Sequence, residues 1–367
     1  MPVEPNGHLL WVAPAVHGGA TDRDRSSGGE ALVDFSVNSN PYGPSPAALD
    51  AVRYVDITRY PDPDATALRE AIGMKERVSA DAVLPGNGSL EMMFLAAHAY
   101  LAAGDKALVF GPTFGEYARA AMVAGAEVVE ATASPAGGYQ FDGHAMNTAL
   151  GTLAPRVAFI CNPNNPTGRY VPAEALRALA ARHPQTLFVI DEAYLPFVDR
   201  GESCVRPELL ANVVVLRSMT KDGAMPGLRL GYALARPGLL DPLRTAQPTW
   251  SVNALAQAAG VATLRDTGHW ARSIMAIHDA KRYLVGALHD LGCVLLPSDA
   301  NYFLWQVRGA RGWRQALLTR GCLVRDCSSF GMRGYLRVSV RTSPECERLV
   351  EAVRWVQAQA GLEHEQR

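Results

Sequence analysis

Lys221 closes the run Arg217-Ser218-Met219-Thr220-Lys221, and Pro226-Gly227-Leu228-Arg229 follows at once. A lysine just after a buried strand can simply snorkel to solvent, and in isolation it would be read that way. Here two hydroxyls, Ser218 and Thr220, precede it, and Arg229 stands eight residues beyond. Hydroxyls beside a bidentate arginine are what a phosphate needs. A desolvated lysine near cations has a lowered pKa and attacks aldehydes. The block therefore combines an aldehyde trap with a phosphate cup.

Four other candidates also follow apolar runs. Leu187–Ile190 ends in Asp191-Glu192-Ala193-Tyr194. A carboxylate at a buried strand end is costly unless paired. Asp191 either caps the next turn or keeps a bound pyridine nitrogen protonated, which makes the ring an electron sink. Val157–Cys161 ends in Asn162-Pro163-Asn164-Asn165-Pro166-Thr167-Gly168. That is a tight turn, and also a place where an asparagine amide could donate to a phenolic oxygen. Leu84-Pro85-Gly86-Asn87-Gly88-Ser89 begins like a dinucleotide fingerprint, but Glu91 stands where the third glycine belongs. A helix start after two glycines still suits a lone phosphate. Phe114, in Gly111-Pro112-Thr113-Phe114, is either core or a ring stacked on a flat ligand. In Leu336-Arg337-Val338-Ser339-Val340-Arg341 the alternation puts Arg337 and Arg341 on one face, either a solvated edge or an anion site.

These residues need a scaffold that brings strand ends together. Apolar runs at Ala107–Phe110, Glu127–Glu130, Val157–Cys161, Leu187–Ile190 and Val213–Leu216 alternate with helical stretches. That pattern predicts an α/β fold with a mostly parallel sheet covered on both faces. Ser89 is expected to cap a helix over Leu90–Ala103 that Gly104 ends, and Pro172 to sit near the start of one over Ala173–Arg182. Helical stretches follow at Ser251–Arg265 and Trp270–Leu291, then strands at Tyr302–Val307 and Tyr335–Arg341, then a last helix from Pro344. We expect an N-terminal arm (1–44) that joins the small domain, a large domain (45–250) and a C-terminal α+β domain (251–367). Ligands in open α/β sheets sit outside the carboxyl ends of the strands, where the candidates fall.

Composition narrows the class. The formal net charge of −1 supplies no field to attract nucleic acid or an anionic membrane. No apolar run reaches the roughly 18 residues of a membrane span, and Met1–His8 lacks a secretory pattern. The six cysteines form no C-x-x-C pair and read as free thiols in a reducing cytoplasm. The nine histidines show no H-E-x-x-H spacing, so no catalytic metal is expected.

Taken in order, CNPNNPTG, DEAY and SMTK followed by PGLRLGY resemble the fold-type I pyridoxal 5'-phosphate (PLP) enzymes of the class I/II aminotransferase superfamily, over about residues 34–355. The resemblance implies a PLP-dependent transferase fold, with PLP held as a Schiff base on Lys221. It implies Asp191 on the pyridinium, Asn165 and Tyr194 on the phenolic oxygen, and Phe114 stacked on the ring. Gly88, Ser89, Ser218, Thr220 and Arg229 would hold the phosphate. Tyr60, in Tyr60-Pro61-Asp62, would reach the phosphate of a neighbouring subunit, which implies a homodimer with shared active sites.

Within the superfamily the chain resembles L-threonine O-3-phosphate decarboxylases, relatives of histidinol-phosphate aminotransferases. The segments carrying this are HGG at His17, DFSVNSNPYGP from Asp34, VRDCSSF from Val324 and LRVSVRT from Leu336. They imply substrate contacts from His17, Asn40, Arg325 and Arg337, the last on an α-carboxylate. Ala20 stands where the pattern has asparagine, and the stretch between Arg325 and Arg337 is about two residues short. PLP weakens whichever Cα bond stands perpendicular to its ring, so the same cofactor residues serve decarboxylation and transamination. The favoured expectation is a decarboxylase of a phosphorylated amino acid, with a place in cobalamin biosynthesis among the pathways it leaves open. The alternative is an aminotransferase of the histidinol-phosphate kind. A transcription regulator would need a helix-turn-helix module in the 33 residues before Asp34, which are too few and too glycine-rich. A non-catalytic relative would be expected to lack Lys221 or Asp191.

Overall fold

Apolar, β-branched runs set most of the strands, and the computed structural model describes residues 3–22, 24, 32–206 and 208–365. After the short arm strand β1 (Val33–Asp34) come β2 (Val83–Asn87), β3 (Lys106–Gly111), β4 (Glu127–Thr132), β5 (Val157–Cys161), β6 (Leu187–Asp191), β7 (Val213–Ser218) and β8 (Leu230–Leu234). Strands β2 to β8 form one sheet in the order β2-β8-β7-β6-β5-β3-β4. β8 is antiparallel to both neighbours, and the other pairs are parallel. Every residue of β5, β6 and β8 is buried, as a sheet covered on both faces requires. Helices Ser89–Tyr100 and Glu116–Val123 pack on one face, and Gly143–Leu153, Ala173–Arg182 and Ala254–Arg265 on the other. Edge strand β4 carries Glu127 and Glu130, charges that discourage further pairing.

Two strands of this sheet escape the apolar pattern. β2 reads Val-Leu-Pro-Gly-Asn and β8 contains Gly231, so neither looks like a continuous strand. Gly231 is there for proximity: a Cβ on it would lie 2.2 Å from the Ser89 nitrogen. The expected cap also shifts. Gly88, at φ 82, is the cap residue, and Ser89 begins the helix without a side-chain capping bond. A positive φ is cheap only for glycine, so Gly88 takes the turn and leaves the Ser89 hydroxyl to point elsewhere. That helix stops at Tyr100 because Leu101 is extended; Gly104 makes the following turn.

The C-terminal part contains β9 (Val294–Leu295), β10 (Tyr302–Gln306), β11 (Cys322–Leu323), β12 (Arg325–Asp326) and β13 (Tyr335–Ser339). β12-β13-β10-β9 is antiparallel, and β1 pairs in parallel with β11. Helices Thr267–Asp290, Ala310–Thr319 and Ser343–Glu365 back this sheet. Phe35, just after β1, is fully buried in the same core. Register sets up the chemistry: Cys161 pairs with Asp191, Ser218 with Gly231, and Arg325 with Arg337. All six cysteines are buried, and none forms a disulfide. Among the described residues no helix is long and apolar enough to cross a membrane, and no cluster of metal-ligating side chains occurs.

Candidate active site

The carboxyl ends of β5, β6 and β7, the start of the helix Ser89–Tyr100 and the arm residues 16–18 and 36–39 enclose a cavity of about 450 Å³. Lys221, Asp191, Tyr194, Asn165, Phe114, Ser89, Ser218, Thr220 and Arg229 all line it, as do His17, Arg325 and Arg337.

At its floor Asp191 is buried. Burial pushes its carboxyl above the usual range, opposed by donors and by the nearby Lys221 cation. Its Oδ1 accepts from the Ala193 amide at 3.0 Å, and its Oδ2 from the Tyr117 hydroxyl at 2.8 Å. The Lys221 ammonium lies 5.7 Å from the Tyr194 ring centre, and the Lys221 carbonyl accepts from the Asn40 amide at 2.8 Å. The Tyr194 hydroxyl accepts from Asn38 at 3.3 Å, and its ring meets Tyr302 edge-on at 4.9 Å.

The end expected to take a phosphate is built from backbone as much as from side chains. Ser218 and Thr220 hydroxyls lie 2.8 Å apart. A Cβ on Gly88 would come within 2.9 Å of Arg229 Nη2, so glycine is required for the guanidinium to close over the helix start. Exposed first-turn N–H groups and the helix dipole favour an anion at this place.

The opposite end carries two cations. Arg337 is 5% exposed; its Nη1 donates to Asn165 Oδ1 and its Nη2 to the Ser36 carbonyl at 2.6 Å. Arg325 donates to the carbonyls of His17 at 2.6 Å and Val16 at 2.8 Å, and to Ser329 Oγ at 2.9 Å. Neither forms an ion pair among the described residues, and the Nε of each is buried without a hydrogen-bond partner. Burial and the charge of Arg337 pull the Arg325 guanidinium below its ordinary value. His17 Nε2 sits 2.8 Å from the buried Glu116 carboxylate, and its ring lies 5.6 Å from Phe114.

Three of the residues singled out in the sequence do not line this cavity. Asn40 does not line the cavity. Its side-chain NH2 donates to the Asp222 carbonyl and to Ser273, both at 3.0 Å, its Oδ1 accepts from the Tyr42 N–H, and its main-chain N–H braces the Lys221 carbonyl, so both amide donors are spent within the protein. Tyr60 is 79% exposed and stacks on Trp250 at 4.4 Å, outside the cavity of its own chain. Arg341 lies beyond β13 and faces Glu345 at 3.7 Å, so it does not join Arg337. Sequence reasoning missed Tyr117, Asn38 and Ser36; only Tyr117, three residues after Phe114 at the start of a helix, left a periodic signal.

The model of the family described as aminotransferase class I and II matches residues 30–353. The chain belongs to that family. Its protein relatives include the histidinol-phosphate aminotransferase of Symbiobacterium thermophilum, 41% identical over 91% of this chain and 92% of the relative. That of Moorella thermoacetica is 34% identical over 95% and 92%. Among solved structures, histidinol-phosphate aminotransferase from Sinorhizobium meliloti in complex with pyridoxal-5'-phosphate superposes with TM-score 0.84 at 21% identity, over 97% of this chain and 99% of that one. Aspartate aminotransferase from Thermus thermophilus with maleate gives 0.82 at 23%, over 96% and 99%. The fold is thus that of PLP-dependent aminotransferases. The site fits the family's cofactor, with a primary amine, a buried carboxylate, a phosphate cup and a covering ring in one cavity. The expected decarboxylase finds no support in these comparisons; the aminotransferase alternative does.

Proposed function

We propose that this enzyme moves an amino group between histidinol phosphate and a 2-oxo acid. The carrying observation is the pair Arg325 and Arg337, which β12 and β13 hold side by side without a carboxylate between them. Buried cations are costly unless paired, and their unpartnered Nε groups suit an anionic substrate group. Histidinol phosphate offers a phosphate ester, and a 2-oxo acid partner offers a carboxylate, so one cationic end can serve both halves of the reaction. The names of the relatives support the same choice.

When bound, PLP supplies an electron-withdrawing ring that weakens bonds at the substrate α-carbon. The chain's own groups do the rest. Lys221 is the amine that holds the cofactor and, once released, carries a proton to or from that carbon. Asp191 keeps the ring nitrogen protonated. Asn165 has its amide oxygen engaged by Arg337, which leaves its NH2 to donate to the phenolic oxygen beside Tyr194. Phe114 covers a ring face, and Gly88, Ser89, Ser218, Thr220 and Arg229 hold the phosphate. His17, backed by Glu116, and Arg325 close the arm over the substrate end. Tyr60 completes a partner subunit's phosphate cup in a homodimer, and buried cysteines without disulfides suit a cytoplasmic setting.

The test is direct. The PLP-loaded protein is incubated with histidinol phosphate plus 2-oxoglutarate, and separately with phosphothreonine, while glutamate and CO₂ are followed. Glutamate from the first mixture is expected. CO₂ from the second, with no glutamate from the first, overturns the proposal.

A further inference from the structure

Tyr117 lies in the first turn of its helix, Glu116–Val123, fully buried, with a hydroxyl aimed at the cavity floor. It donates to Asp191 Oδ2 at 2.8 Å, while the Ala193 amide donates to Oδ1 at 3.0 Å. One oxygen is thus held from within the β6 turn and the other from a different element. The ring is fixed too: it stacks on Phe159 of β5 at 5.8 Å and meets Phe114 edge-on at 5.7 Å. The ring that covers the cavity and the carboxylate at its floor are therefore tied to one side chain. Burial and the Asp191 charge push the Tyr117 phenol well above its ordinary range, so it remains a donor and Asp191 the acceptor. Asp191 has no basic partner within ion-pair distance among the described residues, so this bond counters a desolvation that burial imposes.

We infer that Tyr117 is a positioning residue, which holds the Asp191 carboxylate as an acceptor in the place where the cofactor's ring nitrogen needs it. The inference rests on the reading that PLP occupies this cavity with its nitrogen toward Asp191. A hydrogen bond to a charged group is worth enough to matter for cofactor affinity. Its loss leaves a buried carboxylate that more readily takes a proton, and a protonated Asp191 no longer attracts a pyridinium.

The test uses apo protein titrated with PLP and with its 1-deaza analogue, in which carbon replaces the ring nitrogen, with binding read from quenching of intrinsic fluorescence. Wild type should prefer PLP. Tyr117→Phe keeps the stacked ring and should weaken PLP by about ten- to a hundredfold, while the analogue's affinity is retained. In an Asp191→Asn background the same substitution should cause no further loss. Equal weakening of both ligands by Tyr117→Phe, or no weakening of either, overturns the inference and makes Tyr117 mere packing. A further loss in the Asp191→Asn background overturns it independently of how the single variant folds. A wild type that does not distinguish the two ligands refutes the Asp191–nitrogen reading itself, and one that binds neither refutes the cofactor assignment; the inference falls in both cases.

Discussion

Arg325 Nη1 donates to the main-chain carbonyl of His17 at 2.6 Å, across 308 residues. A side chain expected to grip substrate therefore also secures the arm that closes the cavity. Arg325→Ala should raise KM for histidinol phosphate about ten- to a hundredfold, the worth of a lost charge-assisted contact. It should also speed proteolysis within residues 3–22. A variant with raised KM and unchanged arm cleavage would separate the two roles and remove the latch.

Lys221 is the sole aldehyde trap proposed. Borohydride treatment of the holoenzyme should fix a pyridoxyl group to Lys221, located by peptide mass. Lys221→Ala should lose turnover while still binding PLP through the cup and Asp191. A reducible adduct at another lysine in that variant would refute the assignment.

Arg337 and Asn165 are coupled by one hydrogen bond. Arg337→Ala should lower kcat/KM for histidinol phosphate and for 2-oxoglutarate alike, by about ten- to a hundredfold. A double-mutant cycle with Asn165→Ala should show non-additivity of about 0.5–3 kcal/mol. Strict additivity would mean that the two side chains act independently.

Glu192 and Arg217 form a buried pair at 3.2 Å beneath the site, where Glu192 also accepts from Ser203 at 2.6 Å and Cys204 at 2.7 Å. Removing one partner of a buried pair costs about 3–5 kcal/mol, so Arg217→Met should lower Tm markedly. Burial already pushes the Glu192 carboxyl up, and Arg217 opposes it. Without Arg217 the folded carboxyl holds its proton still more tightly than the unfolded one. That contribution favours folding at low pH and is lost as pH rises through the folded value. The defect should therefore be greater at pH 8 than at pH 5, and a pH-independent defect would contradict it.

Tyr60 should act across a subunit boundary. Mixed Tyr60→Phe and Lys221→Ala subunits should regain activity, because each heterodimer holds one intact site. A fully active monomer in ultracentrifugation would refute this.

Local sequence determined which groups are the candidates for the chemistry. Lys221, Asp191, Asn165 and Phe114 follow strands or their turns, and such positions are legible because continuous apolar runs, prolines and glycines announce strand ends. The sheet's parallel core was legible for the same reason. β2 and β8 were not, since their glycines and proline serve the close approach of Gly231 to Ser89 rather than strand propensity. Only the tertiary structure decided what each polar group has left to offer. Asn40 sits in the right segment, yet Ser273 and Asp222 saturate its amide. Tyr117 looks like any helical aromatic until β6 brings Asp191 to its hydroxyl. Arg325 and Arg337 become one cationic end because antiparallel register sets them opposite each other. Motifs report residue type and spacing along the chain, whereas a hydrogen bond has a short range and few acceptors, so its allocation is settled by which distant elements fold against each other.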